Sequence, residues 1–161
     1  MRRLAALNAM LMCAAASGFA QQLDVHFSCS SPGDDHGDKV IYADSGEMHL
    51  KGDHIDAFRW ESSLFRSTHG FDCSIDDGDH LKAEVRDDSG RVQWRVMPED
   101  ALAARVERGY QYLTRPNCTI RLVREGDTLE IAPSCPALCG SRPNFTQLSV
   151  NLKTGKCMYE E

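Results

Sequence analysis

The chain has 161 residues, with 18 Lys and Arg against 24 Asp and Glu, and a formal net charge of −6 at pH 7. That surplus disfavours nucleic acid, whose phosphates require a basic face, and makes a basic protein the charge-complementary expectation. A chain of this size folds as one domain, and its 7 cysteines suit a small core reinforced by covalent staples.

The first segment reads as a targeting signal. "MRRLAALNAMLMCAAASGFAQQ" opens with Arg2 and Arg3, continues with an apolar run, and reaches Gly18 and Ala20 at positions a signal peptidase prefers. The run is short for a membrane span and polar sequence follows at once. Leu11 and Met12 do not fit the small-residue pattern that precedes a lipid-modified cysteine. The expectation is a signal peptide over 1–20 and a single β-rich domain over 21–161, periplasmic or secreted. Loss of the leader removes two arginines and no acid, so the mature chain is more acidic still.

Cys13 leaves with the leader, and an even set remains: Cys29, Cys73, Cys118, Cys135, Cys139 and Cys157. In an oxidising compartment this set reads as a disulfide framework, whose connectivity sequence alone does not choose. Loop geometry favours Cys29 with Cys73, and the other four among themselves.

From Leu23 onward the commonest pattern is a short alternating run closed by Gly, Asp or Asn. In the N-terminal half, residues 39–42, 47–51 and 55–60 read as strands separated by "DSG" and "KGD". In "LKAEVR", Leu81, Ala83 and Val85 share one face; after "DDSG", Val92, Trp94 and Val96 do the same, which predicts a hairpin with one dry face. In "CTIRLVREGDTLEIA", Ile120 and Leu122 oppose Leu129 and Ile131 across Glu125-Gly126-Asp127. In "QLSVNLKTGKCMYEE", Leu148, Val150 and Leu152 precede the Thr154-Gly155 turn.

Residues 98–113, "PEDALAARVERGYQYL", depart from this grammar. Pro98 at a first-turn position, two acids behind it, and Leu102, Val106 and Tyr110 at steps of about four predict one amphipathic helix ending near Gly109. The expected fold is mainly β: an antiparallel sandwich or open barrel with one amphipathic helix, stapled by disulfides.

All six histidines precede residue 81, most beside aspartates in "DDHGD", "GDHID", "THGFD" and "DDGDH". His and carboxylate can bind transition metals, so a His/Asp metal-binding module is one alternative reading. No two histidines stand one helical turn apart, and "DDGD" lacks the alternating ligands of a calcium loop. The same segments make good turns, and no metal or cofactor is expected. Catalysis is not expected either. There is no Gly-x-Ser-x-Gly elbow, no P-loop and no His-Glu-x-x-His pattern, and the even cysteine count leaves no thiol for a nucleophile. The sequons at Asn117 and Asn144 are discounted because the Ala-rich leader has a bacterial character.

Residues 134–145, "SCPALCGSRPNF", carry no apolar periodicity. Pro133, Pro136 and Pro143 restrict the backbone and two cysteines anchor it. A rigid protruding loop is a good binder because little ordering is lost on association. Arg142 offers a donor fork for a carboxylate and Ser141 donates beside it, so Ser141, Arg142 and Asn144 are the candidate partner-binding residues.

Residues 117–159, with "CTIRLVREGDTLEI" followed by "CPALCGSRPNFTQLSV", resemble the Cys-strand-turn-strand-Cys-Gly-aromatic pattern of small periplasmic β-proteins of Gram-negative bacteria, including lysozyme-inhibitor-like domains. That resemblance implies a Ser-containing loop and a nearby basic side chain entering a lysozyme cleft and engaging its catalytic carboxylates. Ser141 and Arg142 stand at the matching positions. The aromatic and glycine motifs of the c-type inhibitor family are not complete, and the His/Asp-rich half has no counterpart. The expected function is inhibition of a basic cell-wall-degrading enzyme by loop insertion; the alternative in the same class is an immunity protein against a periplasmic toxin.

Overall fold

The computed structural model describes residues 21–35, 37–100, 102, 103, 106, 119–134 and 148–159. Their alternating sequence folds as two antiparallel meanders. Strands β1 (Gln22–Asp35), β2 (Asp38–Lys51), β3 (His54–Arg66) and β4 (Gly70–Asp76) form a four-stranded sheet in the order β1-β2-β3-β4. Strands β5 (Leu81–Asp88), β6 (Arg91–Pro98), β7 (Ile120–Glu125), β8 (Thr128–Pro133), β9 (Leu148–Asn151) and β10 (Cys157–Tyr159) form a six-stranded sheet in the order β10-β9-β8-β7-β6-β5. Neither sheet closes on itself.

The three hairpins expected after residue 80 form in register. Ala83 pairs with Val96, Leu122 with Ile131, and Val150 with Cys157. The period-2 pattern works because each dry face meets the other sheet. Phe27, Phe58 and Trp60 from the first sheet share one core with Trp94, Leu122 and Ile131 from the second. Each large apolar side chain so buried contributes about 1.5–3 kcal/mol.

Polar contacts fix how the sheets meet. Trp94 Nε1 donates to Gly52 O at 3.1 Å, and Arg124 donates to Gln22 O while its guanidinium lies 6.0 Å from the Trp94 ring centroid. A disulfide joins Cys29 to Cys157 with a Cα–Cα distance of 6.0 Å. Gln22 therefore meets β7 while Cys29, on the same strand, meets β10, so β1 crosses the second sheet obliquely.

Three expectations are corrected. Cys29 pairs with Cys157 rather than with Cys73; Cys73 is itself disulfide-bonded, to a partner outside the described residues. "DSG" at Asp44-Ser45-Gly46 is not a turn but lies within β2. Gly46 is there because a Cβ at that position would stand 2.4 Å from Phe27 Cε1, so the residue makes room for a core aromatic ring. Pro98 does not open a helix: it closes β6, paired with Leu81. Beyond it, the Asp100 side chain accepts from the Leu102 and Ala103 backbone N–H groups, both at 3.0 Å. Leu102 and Val106 are exposed, and most of the segment expected to be an amphipathic helix lies outside the described residues, so that helix is not shown.

Candidate functional site

The order of the second sheet gathers its long connections at one end. β6 and β7 are hydrogen-bonded neighbours, yet residues 99–119 separate them; β8 and β9 are neighbours separated by residues 134–147. Because β6 to β9 run alternately up and down, Pro98, Ile120, Pro133 and Leu148 all stand at the same end of the sheet. The opposite end carries the tight turns at Gly90 and Gly126, both with positive φ, where a glycine is the least strained residue. Connections longer than about 12–15 residues are uncommon in a compact domain and are often functional.

The two connections share a clamped root. Ser134 N donates to Thr119 O at 2.8 Å, and Thr119 N donates back to Ser134 Oγ at 2.8 Å. Thr119 is buried while Ser134 is exposed, so these bonds serve chiefly to satisfy the Thr119 backbone groups. Ser141, Arg142 and Asn144 lie in the second connection with Cys135 and Cys139, and Cys118 lies in the first, all outside the described residues.

A second polar centre, which sequence reading missed, lies where the sheets are stapled. Asp44 is buried, and its Oδ1 accepts from Trp60 Nε1 at 3.1 Å. The Tyr159 hydroxyl stands 4.0 Å from Cys29 Sγ, and its ring stacks on Tyr42 with centroids 5.4 Å apart. Burial, then the Asp44 carboxylate, push the Tyr159 phenol far above its ordinary range. The only signal in the sequence was an Asp at an inward position of a strand, hidden because "DSG" imitates a turn. The centre is a hydrogen-bonded lock between β2, β3 and β10.

The His/Asp segments resolve into connections. "DDHGD" makes the β1–β2 turn, where Asp34 accepts from Gly37 N at 2.8 Å and from Lys39 Nζ at 3.0 Å. The Lys39 ammonium, ahead of the Gly37 amide, holds the Asp34 carboxyl below its usual range. "GDHID" turns β2 into β3 at Gly52, with φ +60. "THGFD" turns β3 into β4, closed by Arg66 N donating to His69 O at 2.8 Å. "DDGDH" forms a 3-10 turn, Asp77–Asp79, capped by Asp76. Among the described residues no group of three or more His, Cys, Asp or Glu is placed to hold a metal ion.

Comparison with protein-family models, with curated proteins and with solved structures found no match to this chain. Fold and site define its class: a two-sheet antiparallel β protein, disulfide-stapled, with two long connections rooted side by side. No helix among the described residues is long and apolar enough to cross a membrane.

Proposed function

We propose that the chain is an exported binding protein that inhibits a cell-wall-degrading enzyme, in the manner of a lysozyme inhibitor, by placing the 134–147 connection in the enzyme's active cleft. Arg142 is the electrostatic anchor on the catalytic carboxylates, Ser141 donates beside it, and Asn144 completes the contact. The observation that supports this reading is the root of the connection. Two neighbouring strand pairs open into long excursions at one end of the sheet, held together by the Thr119–Ser134 hydrogen bonds. A clamped root fixes where the connection leaves the sheet, which lowers part of the ordering cost of binding. The acidic net charge suits a basic partner.

The test is a turbidity assay in which the mature protein is titrated against c-type, g-type and i-type lysozymes and peptidoglycan amidases. Inhibition of at least one is expected, and Arg142→Ala should weaken it by about 2–5 kcal/mol, the cost of truncating a paired charge at an interface. No inhibition of any of them, or an Arg142→Ala variant that inhibits as well as the wild type, rejects the mechanism.

A further inference from the structure

We propose that the outer face of the four-stranded sheet is a docking surface for a basic protein. The inference shares with the proposed function only the basic character of the partner.

What carries it is an uncovered sheet face with an apolar end. On β1 to β4 the residues that alternate away from the core are exposed or half-exposed; none is buried. The six-stranded sheet differs, since Val123 and Ser149 on its outward side are buried. The middle of the uncovered face carries Ser28, Ser30, Ala43, Ser45, Ser63 and Ser74 in cross-strand rows, with Glu61 standing between Ser45 and Ser74. Short side chains leave this area flat. At one end, Ile41 and Phe65 are directly paired across β2 and β3, and each is 50% exposed. The Phe65 ring lies against Gly70, its partner on β4, where an added Cβ would stand 3.2 Å from Phe65 Cδ1. The glycine lets the ring lie down on the sheet, so an apolar contact is pre-formed. An exposed apolar pair beside a flat, uncovered area is the anatomy of a protein-binding patch.

Charge chooses the occupant. Residues 21–80 contain 13 Asp and Glu against 4 Lys and Arg, a net charge of −9, whereas residues 81–161 contain 11 against 12, a net of +1. The outward carboxylates of Asp24, Glu47, Asp72 and Asp76 flank this area and Glu61 stands within it; facing them, the guanidinium of Arg59 is paired with Glu61 and the His49 ring contacts Asp24 and Glu47. A second copy of the chain would bring like charges together, and an acidic partner would do the same. A partner with Lys and Arg around an apolar tip complements both the rim and the Ile41–Phe65 pair.

The experiment measures binding of two basic probes, c-type lysozyme and cytochrome c, to the mature protein by calorimetry, with lysine-succinylated probes as controls. Both native probes should bind, more weakly as salt rises from about 50 to about 300 mM, because screening weakens exposed charge pairs. Succinylated probes should not bind. Two face variants, Ile41→Ser/Phe65→Ser and Ser28→Lys/Asp72→Lys, should each weaken binding about tenfold or more, with unfolding midpoints checked against the wild type. The second variant alters only exposed polar positions, so it keeps the test decisive if the first fails to fold. Cytochrome c is not a wall hydrolase, and its binding should survive Arg142→Ala. Failure of both native probes to bind, wild-type affinity in a folded face variant, or dimerisation through this face overturns the proposal. Lysozyme inhibition that is lost in Arg142→Ala but unchanged in both face variants overturns it while leaving the loop reading intact.

Discussion

Thr119 and Ser134 hold each other at the common root of two excursions: the Ser134 amide donates to the Thr119 carbonyl at 2.8 Å, and the Thr119 amide donates to Ser134 Oγ at 2.8 Å. Ser134→Ala removes the side-chain acceptor and leaves a buried N–H without it. The expected loss is about 1–3 kcal/mol of unfolding free energy, the cost of an unsatisfied buried donor. Denaturant titration checks this, and Ser134→Thr, which keeps the oxygen, should recover most of the loss.

Trp60→Phe tests the buried Asp44 centre. The substitution keeps an aromatic ring in the core but deletes the donor that reaches Asp44 Oδ1 at 3.1 Å. A lost hydrogen bond to a charged group is worth about 1.5–3 kcal/mol. Combining it with Asp44→Leu, which removes the acceptor, should give less than the sum of the two single losses if the residues act as a pair, which a double-mutant cycle reads directly.

Tyr159 predicts a stability edge at alkaline pH. Its pKa is raised in the folded protein, by burial first and then by Asp44, so above about pH 10, where an unfolded tyrosine ionises, the native state binds more protons than the unfolded state. Stability contributed by the protonated phenol is therefore fully present below that pH and declines as pH rises through and beyond it. Absorbance at 295 nm should show a tyrosine that ionises only on unfolding, and Tyr159→Phe should abolish that late step.

The disulfide correction has a direct chemical test. Non-reducing digestion should release the Cys29 peptide joined to the Cys157 peptide, with Cys73 in a different pair. The two residues are 128 apart in sequence. Closing so long a loop restricts the unfolded chain by about 5 kcal/mol in the chain-entropy account, so Cys29→Ser/Cys157→Ser should be strongly destabilised.

Gly46→Ala should also destabilise, by about 1–3 kcal/mol, as over-packing does in a filled core. The added methyl would stand 2.4 Å from Cε1 of the buried Phe27 ring, so the ring would have to shift. If the mutant unfolds at the wild-type denaturant midpoint, Gly46 does not serve as the seat for Phe27.

Much of this fold was legible in the sequence because the signals are local. Leu81, Ala83 and Val85 against Val92, Trp94 and Val96 specify both a hairpin and its dry face, and Gly126 and Gly155 stand where the chain reverses. The His/Asp segments read correctly as turns for the same reason: Asp side chains and Gly backbones act on their near neighbours. Of the candidate site, the sequence offers Ser141, Arg142 and Asn144, which lie outside the described residues; the structure describes the Thr119–Ser134 contact from which their connection departs.

What only the tertiary structure decided is non-local. Whether Asp44-Ser45-Gly46 bends or continues depends on Phe27 and Trp60, on other strands, and an aromatic ring seated on a glycine leaves no periodic trace in its own segment. The partner of Cys29 depends on β1 crossing the second sheet to reach β10, a consequence of how two faces pack. The uncovered face of the first sheet was invisible for the same reason. Alternation tells which side chains leave the core, and only the assembled sheets tell which outward face no described residue covers.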